Sequence, residues 1–275
     1  MKTSRIAAVV AALFIAAAAP AGIAYAADPD AEIAALASKV LSKGPNGETP
    51  EPASVVKLSS DELAKIKAMK AKAAIVMHYA GNDWSRAQIN GLKTQFAAMG
   101  IEVIAVTDAG FKAEKQVADL ETVLTQKPNV IVTIPADPSA TAAAYKKAAD
   151  AGVKIVFMDN VARGLVVGKD YVSVVSADNY GNGVASAHLM AKALGGKGEV
   201  GLIFHAADFF VTKQRYDAVK KTLADNYPNI KVVAEQGIGG PDFTGDAEKV
   251  AAAMMTSNRK INGIWAVWDT CRPKA

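Results

Sequence analysis

The residues of this chain best suited to chemistry fall in short clusters that each follow an apolar run. His78, Asn82, Asp83 and Trp84 follow the first run, and Asp159 and Asn160 follow the fourth. His205, Asp208, Phe209 and Phe210 follow the sixth, with Lys213 close behind; Asp242 and Phe243, then Trp268 and Asp269, follow the last two. Flat aromatic faces mixed with carboxylates and amides suit recognition of a sugar or polyol. Its C–H faces stack on rings, while its hydroxyls need both donors and acceptors. Nucleophilic catalysis is not indicated: no Ser-His-Asp or Cys-His pattern is present, and the one cysteine, Cys271, lies near the end. His78 and His205 lack partners at H-E-x-x-H spacing, so no metal is expected.

No cofactor is expected either. Tyr180-Gly181-Asn182-Gly183 is half of a dinucleotide fingerprint, but Ser186 stands at the third glycine position. Gly195-Gly196-Lys197-Gly198 lacks P-loop spacing and reads as a helix C-cap followed by a turn. Some of the clustered residues fit structural roles equally well. Asp83 and Asp208 are placed to cap the helices that follow, and Trp84 and Phe243 could close a core. His188 sits mid-helix, on the surface or in the core.

Two of the clusters look duplicated. Residues 74–84 read AIVMHYAGNDW and residues 201–209 read GLIFHAADF; His78 lies 15 residues before Lys93, and His205 lies 15 before Lys220. A repeated strand–loop–helix implies two similar lobes. If the two histidines face each other across a cleft, protonating both below pH 6 would oppose closure.

The elements that must hold these clusters alternate regularly. Apolar strands are expected at 73–79, 101–106, 130–134, 153–158, 171–175, 199–204, 230–235 and 263–267. Helical periodicity lies between most of them, at 86–99, 113–126, 139–151, 180–194, 212–226 and 246–257. Continuous apolar strands alternating with helices give an α/β fold with parallel sheets covered on both faces. In such sheets ligands bind beyond the carboxyl ends of the strands, where the clusters fall. The stretch 158–171 has no helix between its two strands and is expected to be the first crossing between lobes.

Half of the chain is hydrophobic and 21% is charged, which is globular composition. A net charge of +4, spread along the sequence, is too mild to imply nucleic acid. The first segment is an export address: a basic MKTSR, an apolar stretch at 6–19 and the cleavage signal Ala24-Tyr25-Ala26. Cleavage after Ala26 starts the mature chain at Ala27. The apolar stretch is shorter than the roughly 20 residues of a membrane span. Residues 27–43 suit a short helix, 43–52 a Gly- and Pro-rich linker, and Ser59 with Glu62 a capping box. This extension is expected to pack on the first lobe.

Four stretches together carry a family resemblance: Gly81-Asn82-Asp83-Trp84, the run 129–137 (NVIVTIPAD), the run 151–159 (AGVKIVFMD) and the run 174–179 (VVSADN). From about Ala73 to Asp269 the chain resembles the type I periplasmic solute-binding proteins of ABC importers, on the ribose-binding branch. The resemblance implies two Rossmann-like lobes, a hinge of three crossings and a ligand clamped by hinge closure. It divides the chain into a signal peptide (1–26), an extension and linker (27–72), a first lobe (73–176) and a second lobe (177–275). It also implies a periplasmic monomer that delivers a sugar-like small molecule to an ABC permease in the inner membrane, with no enzymatic activity. A sensor module presenting its ligand to a chemoreceptor or histidine kinase is the alternative.

By position, Asn82 and Trp84 match a ligand-bonding amide and a stacking ring. Asp159 matches the carboxylate that accepts from sugar hydroxyls, and Phe243 a second stacking ring. Asp83, Phe209 and Asp269 complete the expected ligand set. Three positions depart from the ribose pattern: Asn160 and Lys213 stand where arginines are usual, and Trp268 stands where an asparagine is usual. Two bidentate donors are thus weakened or lost and a bulky ring is added. Family members continue beyond the last strand, so a second lobe incomplete at its C-terminus is expected.

Overall fold

The structure, a computed structural model, describes residues 27–269. The export signal, its cleavage site after Ala26, and Cys271 lie outside the described residues. Helix α1 (Pro29–Leu36) and helix α2 (Ser60–Met69) precede strand β1 (Lys72–Met77). Then follow α3 (Asp83–Ala98), β2 (Glu102–Asp108), α4 (Ala113–Thr125), β3 (Val130–Thr133), α5 (Ala142–Asp150), β4 (Lys154–Met158) and β5 (Ser173–Val175). The second half runs α6 (Asn179–Ala193), β6 (Gly198–His205), α7 (Phe210–Asn226), β7 (Ile230–Ile238), α8 (Phe243–Ser257) and β8 (Ile261–Ala266). Among the described residues no helix is long and apolar enough to cross a membrane.

The strands form two parallel sheets, ordered β2-β1-β3-β4-β5 and β7-β6-β8. The pattern of β1 explains why its sequence is apolar throughout. Successive side chains alternate faces, and both faces are covered. Ala74 and Val76 pack with Leu120, Ile131 and Tyr145 on one side, while Ala73, Ile75 and Met77 pack with Ile89 and Phe96 on the other. Strand β6 does the same: Val200 and Leu202 meet Val219 and Leu223, and Ile203 meets Ala247 and Met254. Truncating any one of these larger side chains to alanine would cost about 2–5 kcal/mol. The duplicated segments are therefore equivalent in the fold. Each supplies the first strand of its sheet, flanked on both sides by later strands.

Two expectations are corrected. The segment after β4 is not a crossing between lobes. Met158 pairs with Val175, so the chain returns to its own sheet. A tight loop makes this possible: the Asp170 carboxylate accepts from the Val166 N–H at 2.9 Å, and buried Tyr171 packs edge-on against Phe157. The chain leaves for the other sheet only after Val175, through 176–178.

The N-terminal extension does not rest wholly on the first lobe. Helix α1 lies along α6, with Asp30 paired to Lys192 at 2.6 Å and the Ala27 N–H bonded to the Asn226 carbonyl at 3.1 Å. Further on, the backbone N–H groups of Leu41 and Ser42 donate to the Asp178 carboxylate at 3.0 and 2.8 Å. Asp178 also caps α6 by accepting from Gly181. One carboxylate can accept several donors, so the capping residue doubles as a dock for the extension. The expected capping box is present, with the Glu62 N–H on Ser59 Oγ and the Ser59 N–H on the Glu62 carboxylate.

Candidate functional site

A cavity of about 450 Å³ lies between the two sheets, at the carboxyl ends of β1, β4, β6 and β8. That is the size of a small-molecule site. Its first wall begins with His78 and Tyr79 after β1. Asn82 follows and caps α3, its side-chain oxygen accepting from the Ser85 N–H at 2.8 Å. Trp84, on the first turn of α3, remains half exposed. Phe111 comes from the turn after β2. It has φ +60°, a conformation a bulky side chain rarely adopts. Its N–H bonds the His78 carbonyl at 2.7 Å and its ring stacks on Tyr79 at 5.0 Å, so the turn is held from both sides.

Asp159 follows β4 with φ +59°, a region that aspartate tolerates better than most residues. From it runs a line of hydrogen bonds into the second lobe. Asp159 accepts from Ser176 Oγ at 2.7 Å, and Ser176 Oγ accepts from Asn179 Nδ2 at 2.8 Å. Asn179, itself buried, accepts from Arg215 Nε at 2.8 Å, and Arg215 Nη1 donates to the Val267 carbonyl at 3.3 Å. Burial pushes the Asp159 carboxyl above its usual range, with the Ser176 hydroxyl and the Arg215 guanidinium offsetting part of the shift. Burial likewise moves Arg215 down, against the pull of Asp159 and Asp269. Asn160, also buried, accepts from the Val211 N–H at 3.4 Å.

Six rings close a circuit around the remaining wall. His78 meets Phe111 at 4.9 Å, Phe111 meets Phe243 at 5.3 Å, and Phe243 meets Trp268 at 5.2 Å. Trp268 meets His205 at 5.2 Å, His205 meets Phe209 at 4.9 Å, and Phe209 returns to His78 at 6.4 Å. The circuit passes between the lobes twice. Most of the contacts are edge-to-face, the arrangement favoured by the aromatic quadrupole. Burial pushes both imidazoles down to about 4; at His78, Asp108 opposes the shift and His205 adds to it. The Nδ1 atom of each is enclosed without a protein partner.

Of the residues expected at the site, Asn82, Trp84, Asp159, Asn160, Phe209, Phe243, Trp268 and Asp269 line this cavity. Asp83 and Lys213 do not. Asp83 points to solvent and pairs with Arg86 one turn on. Lys213 pairs with Asp217 and borders a separate hollow beside Arg163 and Asp208. Arg215, two residues beyond Lys213, brings a guanidinium into the cavity. Residues two apart on a helix point about 200° apart, so Lys213 and Arg215 cannot share a face. Asp208 caps no helix but pairs with Arg163 at 3.0 Å, while Asn82 takes the capping role foreseen for its neighbour Asp83. His188 is a core residue, bonded to Tyr227 at 2.7 Å. Gly183 is a packing position: a Cβ there would lie 2.6 Å from the Ala218 Cβ where α6 meets α7.

Tyr79 and Phe111 were missed. The strand before Phe111 was expected to end at Val106, yet it runs to Asp108, which moves the following turn to the cleft rim. The Gly110-Phe111 pair was the available signal.

Residues 73–274 match the family described as periplasmic binding protein domain. The chain belongs to this family. Solved structures of similar proteins agree. An ABC transporter periplasmic solute binding protein from Actinobacillus succinogenes 130z, with bound D-allose, is 28% identical with a TM-score of 0.63; the alignment covers 74% of this chain and 70% of that one. An ABC transporter solute binding protein from Agrobacterium vitis, bound with α-D-tagatopyranose, is 25% identical with a TM-score of 0.66, covering 74% and 69%. The Caulobacter myo-inositol binding protein, bound to myo-inositol, is 25% identical with a TM-score of 0.62, covering 72% and 65%. This periplasmic binding protein domain thus spans 65–70% of the lengths of these three proteins. The match takes in both sheets; residues 27–72, including the segment docked on Asp178, lie outside it. Among the described residues no group of His, Cys, Asp and Glu is placed to hold a metal ion.

Proposed function

We propose that the chain is the substrate-binding component of an ABC importer, holding a sugar, polyol or related small polar molecule between its lobes by hinge closure. One observation carries this reading. The cavity sets rings from both lobes, Phe111 and Trp84 on one side and Phe243 and Trp268 on the other, around the Asp159–Arg215 line. A ring-shaped polyol needs both features at once. Similar proteins with bound D-allose, tagatopyranose and myo-inositol support the ligand class.

In this reading 73–176 and 177–275 are the two lobes and 27–72 is an extension. The segment 1–26 directs export and is removed after Ala26. The exported monomer hands its ligand to an inner-membrane permease and carries out no reaction. Asn82, Asp159, Asn160, Arg215 and Asp269 bond the hydroxyls, while Trp84, Phe209, Phe243 and Trp268 face the C–H surfaces.

The test is a panel of sugars and polyols added to the full chain, read by melting temperature and tryptophan fluorescence. A ligand-dependent rise in melting temperature together with a change in Trp84 or Trp268 emission is expected. A panel that moves neither signal overturns the reading.

A further inference from the structure

Rings make up a continuous part of the cavity lining. Several of its hydrogen-bonding groups are already in use. Asn82 Oδ1 caps α3, Asp159 Oδ1 holds Ser176, and two nitrogens of Arg215 are taken by Asn179 and Val267. The closed circuit of six rings lines the same cavity. That wall already encloses two nitrogens without protein partners, the Nδ1 atoms of His78 and His205. A ligand anchored by its hydroxyls on Asp159, Asn160 and Arg215 shares the cavity with this wall.

A hydroxyl buried there without a partner is penalised, while a methyl group gains by leaving water. Charge is one-sided as well. Asp159, Asp242 and Asp269 line the cavity, and Arg215 is the one Lys or Arg side chain among the described lining residues. With both imidazoles neutral, the lining carries excess negative charge and disfavours an anionic ligand.

We propose that the cleft selects an uncharged 6-deoxy sugar, one bearing a methyl group where common hexoses bear a hydroxymethyl, over its hydroxylated and carboxylated counterparts. This inference rests on the sugar-binding reading above and narrows it. Trp268 is the main discriminator, because its ring packs between Phe243 and His205 in the second lobe's part of the circuit. An apolar wall rejects an added hydroxyl only moderately, by about ten- to a hundredfold. A carboxylate meets repulsion in addition.

Titration calorimetry on the full chain with sets of sugars that differ only at C6 tests this. One set is D-fucose, D-galactose and D-galacturonate; a second is D-quinovose, D-glucose and D-glucuronate; L-rhamnose with L-mannose is a third. The expected result is about tenfold or tighter binding of the methyl member in at least one set, with the uronate weakest. In Trp268→Asn the preference should shrink severalfold while the melting temperature stays within a few degrees. If that variant fails to fold, Phe243→Leu serves the same purpose. Equal or tighter binding of the hydroxymethyl member in every set that binds overturns the inference. So does binding of other sugars or polyols with no binding in any of the three sets, an outcome that leaves the sugar reading standing. If no sugar or polyol binds at all, the sugar reading itself fails and the inference falls with it.

Discussion

Phe111 and Phe243 meet across the mouth of the cleft, ring centroids 5.3 Å apart and planes at 69°, although one belongs to the first sheet's turn and the other opens α8. An edge-to-face pair of this kind contributes about 0.5–1.5 kcal/mol. The contact therefore favours the closed arrangement by up to about tenfold. It is held by a residue in the left-handed region, which ordinarily costs about 1–2 kcal/mol. Phe111→Gly should remove strain and contact together. The expected outcome is a larger radius of gyration without ligand, by solution scattering, and a melting temperature equal to or above that of the parent. A radius unchanged by this substitution would show that the ring pair does not hold the lobes together.

Arg215 and Lys213 make a sharper comparison. Arg215→Ala removes the cation beside half-buried Asp159 and leaves buried Asn179 and the Val267 carbonyl without their donor. Leaving a buried amide such as Asn179 without its partner typically costs about 1–3 kcal/mol. Ligand affinity should fall at least a hundredfold and stability by about 1–3 kcal/mol. Lys213→Ala breaks only an exposed pair with Asp217, worth about 0.5 kcal/mol or less. Its affinity should stay within about twofold of the parent. Equal losses in the two variants would contradict the placement of the guanidinium.

The fold was legible in the sequence because both faces of each sheet are covered. Burial on two sides turns a strand such as β1 into an unbroken apolar run, and helical periodicity fills the gaps between runs. What the runs cannot encode is where a connection goes. The loop after β4 has no helix, which suggested a crossing, yet it folds back because Asp170 and Tyr171 close it locally. Site residues at strand ends were readable from position alone, as with Asp159 and Trp268. Arg215 was not, because it reaches the cleft from the second turn of a helix and only helical phase separates it from Lys213. Phe111 was hidden by a two-residue error in a strand end.

pH dependence follows from the two imidazoles. Both are pushed down to about 4 by burial, from an ordinary 6.5. Between those values the closed form binds fewer protons than one with its rings in water. Its stability is then fully present above pH 6.5 and declines as pH falls toward 4, by up to about 1.4 kcal/mol per unit for each ring. Affinity should be flat from pH 8 to 7 and weaken below 6.5. Asp159 runs in the opposite sense, since burial raises its carboxyl, so the histidines must be isolated by substitution. The His78→Gln, His205→Gln double variant should lose most of the decline. A parent profile that stays flat down to pH 4.5 rules the histidine effect out.

Gly183 tests the packing that positions Arg215. A Cβ at this position would collide with the Arg215 carbonyl oxygen and come within 2.6 Å of Ala218. Overpacking of this kind costs about 1–3 kcal/mol, and here it displaces the helix that carries the guanidinium. Gly183→Ala should lower both the melting temperature and ligand affinity. Lost stability with unchanged affinity would mean that Arg215 is set by its hydrogen bonds alone.

Asp178 joins the extension to α6. Burial works against its charge, but the N–H groups of Leu41, Gly181 and Ser42 outweigh that and hold its carboxyl below the usual range. Asp178→Ala should cost about 1–3 kcal/mol and expose the stretch around Ser42 to proteolysis. An unchanged cleavage pattern would contradict the docking.

That docking also decides which body carries α1. Helix α1 comes before every strand of the first sheet, but it rides on α6. A donor dye on α1 and an acceptor on α4, in a Cys271→Ser background, would move with opposite lobes. Two labels placed before residue 130 would then report each opening and closing as a change in energy transfer, with no dye near the cleft.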